Sequence, residues 1–499
     1  MSAEQRPMSR LGVVDEIFLR THRGMGTPIA LQGLWRTADR VAPEVLEKVH
    51  AALRTGPLGR RVVRARVPGA RPYWRANVNA HPLAVTEHAL PADEVLNWAD
   101  EQGFDLDPEY GPGWRLATAT LADGGSIVAL TCSHVLADGR GLAIAVDQAL
   151  SGTTAAEIGV PQSNQMPLGT AAAEVGAPRS NQALSAAMAA EVVALPSDQS
   201  LSGTTIAEGI AQQPDQSLSG TAIAEGIAQQ PDQSLSGAMT AEIGAPQSDW
   251  LDAWRQWGII LGGTARALRR GVPKPPSTSA PDRPGPARTC GVVLEIPAAD
   301  WERTAAAHGA TANSLFVHLI AQMLWHSGFD GPEIVASIPV DTRDEPRVDN
   351  DMSMTEITVT RSDTAATVRE KCRAAYEYRM SSPGGLPEEI LQVLPARTAH
   401  ALTRGAGERD VLCSNIGPLP TTLTHLGPHP CLGVAARAIH PALTPPLPRT
   451  RLSAYLSHLS PAYTLALTSL DPTHIQSPTA LTDLAHTTLT TYNLTPTFW

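Results

Sequence analysis

Residues 133–141 read Ser133-His134-Val135-Leu136-Ala137-Asp138-Gly139-Arg140-Gly141. They follow Ser126–Cys132, an apolar run that predicts a strand. Arg115–Leu121 predicts its partner, joined through the turn Asp123-Gly124-Gly125 as a hairpin. An imidazole at a strand end can act as a general base, because its ordinary pKa lies near neutrality. Asp138, four residues on, either orients that ring or forms a structural ion pair that shapes the loop. Gly139 and Gly141 permit a tight turn and the close approach of a ligand. The bland alternative is a histidine satisfied by a backbone carbonyl beside an ordinary Asp-Gly turn. The motif alone does not separate these readings, so its surroundings must.

Before the motif, Pro43 to Arg54 predicts a helix with Leu46, Val49 and Leu53 on one face, and Pro91 to Phe104 a second. Far beyond it, Trp250 to Arg270 predicts a tryptophan-rich helix. Strands are then predicted at Thr289–Ile296, Glu333–Val340, Met354–Thr360, Val411–Asn415 and Tyr463–Leu470. Helices are predicted at Ala312–His326, Ala365–Met380, Glu388–Leu394 and Thr479–Tyr492, the third stopped or kinked by Pro395. Interleaved strands and helices of this kind predict an α/β or α+β sheet protein.

Two interruptions divide the chain. From Leu150 to Trp250 the sequence repeats six times with a 17-residue period, with Glu157, Glu174, Glu191, Glu208, Glu225 and Glu242 in register. This block holds ten acidic residues against one arginine, so it carries −9 of the chain's −11 net charge. The low-complexity composition suits a flexible or weakly helical insert, and a partner-binding surface is the other reading. Gly271–Arg288 is too rich in proline for a helix or a central strand, and looks like a crossover. The organisation expected is a lobe at 1–149, the insert at 150–250 and a second lobe at 251–499.

The 499 residues suffice for two lobes, and 42% hydrophobic with 17% charged residues is ordinary for a globular protein. Away from the insert the chain is nearly neutral, which argues against a nucleic-acid surface. No apolar run is long enough to span a bilayer, and residues 1–20 lack a signal-peptide core. Cys132, Cys290, Cys372, Cys413 and Cys431 show no CxxC spacing, so they read as reduced thiols rather than a disulfide frame or zinc site. A cytoplasmic protein without a metal is the expectation.

At this point the motif resembles the signature of a known group, the acyltransferase superfamily of chloramphenicol acetyltransferase-like fold. That group includes nonribosomal peptide condensation domains, wax ester synthase/diacylglycerol acyltransferases and polyketide-associated acyltransferases. Their His-His-x-x-x-Asp-Gly follows a strand late in the first lobe. This chain keeps His134, Asp138 and Gly139 and has Ser133 at the first position. Leu11 to Leu19, LGVVDEIFL, resembles the group's opening segment. Ile338 to Arg343, IPVDTR, resembles the strand whose arginine pairs with the motif aspartate. Val411 to Pro418, VLCSNIGP, resembles the Ser-Asn-x-Gly-Pro strand that lines the reaction channel. The Asp-Phe-Gly-Trp-Gly motif of the plant branch is absent.

The resemblance implies two lobes with a tunnel between them and His134 at its middle. A thioester donor, acyl-CoA or a phosphopantetheinyl carrier protein, would enter from one face and an alcohol or amine acceptor from the other. His134 would be the general base, and Asp138 a structural support paired with Arg343. Backbone N–H groups near Gly139, with Ser414 or Asn415, would stabilise the oxyanion, and Ser133 would border the channel. No permanently bound cofactor is implied, and a monomer suffices for one site. Amide-forming condensation is the alternative reaction. A catalytically inactive scaffold, working through the repeats, is the alternative from another class.

Other signals carry less. His318 sits in SLFVHLIAQMLW, an apolar helix where a satisfied core histidine is expected. Gly139-Arg140-Gly141 lacks the third glycine of a dinucleotide fingerprint. Serine-hydrolase, HExxH and Walker motifs are missing. Trp250, Trp254 and Trp257 recur at helical spacing, as packing residues do.

Overall fold

Leu11, fully buried, leads into a short helix, α1 (Val13–His22), which buries Asp15, Glu16, Leu19 and Arg20. β1 (Ala30–Thr37) is buried along nearly its whole length, as a central strand must be. α2 (Pro43–Thr55) has proline in its first turn, where the missing N–H costs nothing, and buries Leu46, Val49 and Leu53. A ribbon of β2 (Arg60–Val63) and β3 (Tyr73–Ala76) follows. Next come β4 (Ala84–Leu90), α3 (Val95–Glu101), β5 (Trp114–Leu121) and β6 (Ser126–Ser133), then α4 (Gly139–Glu157) and α5 (Asp249–Arg270).

The second half begins with β7 (Cys290–Pro297), α6 (Ala298–Ala307) and α7 (Ala312–His326). It continues through β8 (Glu333–Asp341), β9 (Met352–Thr360), α8 (Ala365–Glu377) and α9 (Ile390–Val393). Five strands, β10 (Val411–Pro418), β11 (His425–Leu426), β12 (His429–Ile439), β13 (Leu452–Leu459) and β14 (Ala462–Ser469), precede α10 (Pro478–Thr491) and β15 (Thr497–Phe498).

This is a computed structural model, and it describes residues 9–25, 27–157, 248–270, 289–377, 389–395, 397–399, 408–445 and 447–499. Met1–Gln162 and Glu242–Trp499 form one compact unit, to which every described residue belongs. Of the repeats at 150–250, residues 150–157 continue α4 and 249–250 open α5 instead of belonging to a separate insert, and 158–247 lie outside the described residues, as do the crossover at 271–288 and the ends of two expected helices, at 378–380 and 388. Among the described residues no helix is long and apolar enough to cross a membrane.

The strands form a six-stranded sheet, β11-β12-β1-β6-β5-β4, and a seven-stranded sheet, β15-β7-β14-β13-β10-β8-β9. The expected mixed α/β class is therefore what the chain builds. Each sheet has its own apolar core. α7 is apolar all round and correspondingly buried, from Leu315 through Trp325 with Gln322 the exception. Each large side chain so buried contributes about 1.5–3 kcal/mol. His318 belongs to this packing, with Nε2 2.8 Å from the Tyr492 hydroxyl.

One feature departs from the division at 149 and 251. β12 comes from the second half of the chain yet pairs from Cys431 to Ile439 with β1, in the first sheet. The segments β11 and β12 showed no predicted strand, because proline and glycine punctuate HPCLGVAARAI. Tertiary pairing with β1 holds them extended.

Candidate functional site

The end of β6 positions the histidine. Ser133 pairs with Ala30 of β1, and the next N–H, that of His134, donates to the Ile29 carbonyl at 3.3 Å. The ring is buried, 8% exposed. Phe18 of α1 stacks on it, with centroids 3.6 Å apart and planes 12° from parallel.

Nδ1 of His134 lies 3.1 Å from Oδ1 of Asn350. The amide of Asn350 can be oriented from its other contacts. Its Nδ2 donates to Asp15 Oδ1 at 2.8 Å, to the His134 carbonyl at 2.8 Å and to the Val135 carbonyl at 3.1 Å. All three partners are acceptors, so the atom facing the ring is the oxygen. An amide oxygen only accepts, so Nδ1 carries the proton and Nε2 keeps its lone pair. Asp15 is itself fixed, because its Oδ2 accepts the Gly12 N–H at 2.9 Å.

Burial dominates the electrostatics of this group. It lowers the His134 pKa to about 4, against the opposing pull of its own carbonyl and Asn350. The imidazole is therefore neutral at physiological pH. Burial likewise raises Asp15 to about 6, partly offset by Asn350 and the Gly12 N–H.

Asp138 does not touch the ring. Nη2 of Arg343 reaches its two oxygens at 2.7 and 2.8 Å, and both side chains are nearly fully buried. The N–H groups of Gly141 and Asp351 donate to it at 2.8 and 3.2 Å. Burial pushes the Asp138 carboxyl up while Arg343 and the Gly141 N–H pull it down. Burial also lowers Arg343, but the charges and hydrogen bonds of Asp138 and then Asp341 outweigh it and hold the guanidinium above its ordinary value. Of the two roles open to Asp138, the geometry is that of the ion pair.

Close packing explains the glycines. A Cβ at Gly141 would lie 3.0 Å from the Asp349 carbonyl, 3.2 Å from Arg343 Nη2 and 3.3 Å from Asp138 Oδ1. A Cβ at Gly139 would run into the end of the Ile416 side chain on β10. Arg140 donates to the Pro418 carbonyl, so the start of α4 lies along β10.

The remaining residues divide. Ser133 is buried, and its hydroxyl accepts the Val135 N–H at 3.4 Å, shaping the turn that carries His134. On β10, side chains alternate between faces. Val411 and Cys413 belong to the core of the second sheet, whereas Leu412 packs against the core of the first. Ser414 shares the face of Leu412, and it is half-buried. Asn415 points the other way, and its amide is engaged. Its Nδ2 donates to Asn313 Oδ1 at 3.1 Å and its Oδ1 accepts the Gly417 N–H at 2.9 Å. The structure thus brings His134, Asp138, Gly139 and Arg343 together with Ile416, and turns Asn415 toward α7.

Sequence reasoning passed over Asp15, Phe18, Asn350, Arg60 and His440. Asp15 and Phe18 sit in the opening segment already singled out, Leu11 to Leu19. Arg60 donates to the Leu136 and Val348 carbonyls, both at 2.7 Å, and lies over the Trp74 ring. Two clefts stand apart from His134. One, of about 290 Å³, has Arg61, Arg75, Asn77 and Tyr110 in its wall, and another, of about 330 Å³, has Glu16, Arg20, Arg23 and Arg64.

No family model matches the chain, and no curated protein matches it. Solved structures do. The first condensation domain of the CDA synthetase superposes with a TM-score of 0.52 at 14% identity, over 98% of this chain and 97% of that one. The starter condensation domain of rhizomide synthetase, in complex with C8-CoA and Leu-SNAC, gives 0.52 at 10% identity over 97% and 94%. The EpoB cyclization-docking bidomain from Sorangium cellulosum gives 0.52 at 12% identity over 98% and 85%. The chain has the condensation-domain fold, which is the chloramphenicol acetyltransferase-like fold.

Proposed function

We propose that the protein transfers an acyl group from a thioester to an alcohol or amine, with His134 as general base. The observation that carries this is the Asp15–Asn350–His134 chain of hydrogen bonds, which leaves Nε2 with a lone pair in a dry setting. A neutral imidazole with a fixed tautomer keeps one lone pair that can take a proton, though burial lowers its pKa to about 4. The donor is acyl-CoA or an acylated phosphopantetheine of a carrier protein. The capture of C8-CoA by a rhizomide synthetase domain of the same fold supports the first.

In this reaction Nε2 accepts the proton of the acceptor's O–H or N–H as that atom attacks the thioester carbon. The carbonyl π electrons move onto oxygen. They return as the C–S bond breaks, and the thiolate takes the proton back from the imidazolium. With both substrates bound together beside His134, no acyl-enzyme is needed. Asp138 and Arg343 hold the loop and move no proton.

Amide-forming condensation is the alternative form of this reaction, and solved structures of the same fold include condensation domains. The test is incubation with acyl-CoAs of graded length, and with an acylated carrier protein, against alcohol and amine acceptors. Thioester loss coupled to ester or amide formation, abolished by His134→Ala, is the expected result. Product from an amine and a carrier-bound donor alone makes the enzyme a condensation catalyst. Undiminished turnover in His134→Ala removes the base. No turnover with any donor leaves an inactive scaffold.

A further inference from the structure

A second histidine stands beside the first. Ala30 of β1 is paired on one side with Ser133 and on the other with Ile439. The residues one step beyond are His134 and His440, which flank Ile29 at the same edge of the sheet. Two strand spacings, about 10 Å, separate their backbones. Ala30 and Ile439 pack together with Leu106 on one face. Residues one step on belong to the opposite face, so the two imidazoles leave the sheet on the same side.

The surroundings of His440 differ from those of a core histidine. His318 has a tyrosine hydroxyl on Nε2 and only Nδ1 enclosed without a partner, whereas both nitrogens of His440 are enclosed and, among the described residues, neither has a hydrogen-bond partner. The Pro28 carbonyl favours its charged form without meeting hydrogen-bond geometry. Burial, the larger effect, and the nearby His134 both oppose that form, which lowers its pKa to about 4. A neutral imidazole always carries one N–H, and an enclosed N–H without an acceptor is costly. That N–H is available to a group that enters the site.

We propose that His440 is a catalytic residue that donates its N–H to the thioester carbonyl oxygen as that oxygen becomes an oxyanion. The inference rests on the acyl-transfer reading above. Asn415, the amide otherwise suited to the role, is already engaged by Asn313 and the Gly417 N–H. His440 keeps its proton throughout: the oxyanion forms as the nucleophile bonds to carbon and His134 takes the nucleophile's proton. The hydrogen bond then loosens as the C=O bond re-forms and the thiolate leaves with that same proton. Because His440 stays neutral, it stabilises negative charge without competing as an acid.

The experiment compares wild type, His440→Phe and His440→Gln with octanoyl-CoA and the acceptor that the wild type uses. Loss of an oxyanion donor is expected to lower kcat of His440→Phe by about 10²–10³-fold with KM within a few-fold. His440→Gln, whose amide can also donate, recovers part of the loss. Undiminished kcat in His440→Phe, or a rise in KM alone, overturns the inference while leaving the acyl-transfer reading intact. No turnover by the wild type overturns both. Should His440→Phe fail to fold, the carbonyl stretch of ¹³C-labelled octanoyl-CoA bound to His134→Ala decides. It should fall relative to free thioester, and a stretch unchanged from the free thioester overturns the inference.

Discussion

Arg343 grips Asp138 with a single nitrogen, Nη2 lying 2.7 and 2.8 Å from the two carboxylate oxygens, while its Nη1 and Nε hold Asp341 and the Arg347 carbonyl. The guanidinium thereby ties the loop after β6 to the loop between β8 and β9. Asn350, which holds His134, belongs to that second loop. Breaking one side of such a buried pair leaves an uncompensated charge. Arg343→Met is expected to cost about 3–5 kcal/mol, read by urea unfolding. Asp138→Leu combined with Arg343→Met should recover most of that stability. Recovery of turnover should lag behind, because two apolar side chains do not fix Asn350.

The two glycines of the loop should respond differently to alanine. At Gly139 the obstacle is the far end of Ile416, a side chain that can change rotamer. At Gly141 it is the Asp349 carbonyl together with both members of the ion pair. Gly139→Ala is expected to cost below about 1 kcal/mol, and Gly141→Ala about 1–3 kcal/mol, the range for overpacking. Thermal unfolding measures both. A more stable Gly141→Ala would mean that the loop is looser than its hydrogen bonds imply.

How much of this was legible follows from what local sequence can encode. His134, Asp138 and Gly139 stand within six residues, and a strand that runs straight into them places them together. Arg343 sits at the end of a recognisable strand. Asn350 has no such marker, since nothing in RVDND says which of its residues turns toward a ring more than 200 positions earlier. β12 is similar, because its partner β1 lies about 400 residues away and only that pairing holds it extended. Asn415 was misjudged for a different reason. Period-two alternation from Val411 and Cys413 would have put it with the second core, away from Leu412 and Ser414.

Asn350 fixes the tautomer of His134 through Nδ1. Asn350→Ala removes the acceptor from Nδ1 and lets the ring proton choose either nitrogen. Losing one hydrogen bond of about 1.4 kcal/mol corresponds to a tenfold fall in kcat/KM, the least effect expected. Asn350→Asp keeps an acceptor at Nδ1 but adds a negative charge, so the imidazolium is favoured and the acid limb of kcat/KM moves to higher pH. It also faces Asp15 and loses the donor to the His134 and Val135 carbonyls, so its melting temperature falls. An acid limb unmoved by that charge would detach Asn350 from the working ring.

Acid should act on this protein through its buried imidazoles. His134, His318 and His440 are each lowered from 6.5 to about 4, with burial the chief cause. The folded chain therefore binds fewer protons than the unfolded one between those values, and stability falls as pH drops from 6.5 to 4. Each ring accounts for about 3 kcal/mol once protonation is complete. Burial raises Asp15 to about 6 and Glu16 to about 7, so their contribution has the opposite sign and is lost as pH rises through those values. The two windows overlap, so Asp15 and Glu16 offset part of the imidazole loss, and melting temperature should fall toward pH 4 by less than three rings alone would dictate. His318→Gln, remote from the loop, should flatten the acid limb of stability by roughly one imidazole's share while leaving turnover at neutral pH unchanged. A wild-type melting temperature that stays constant from pH 6.5 to 4.5 would mean these rings are hydrated in solution, and His134 would then lose its dry setting.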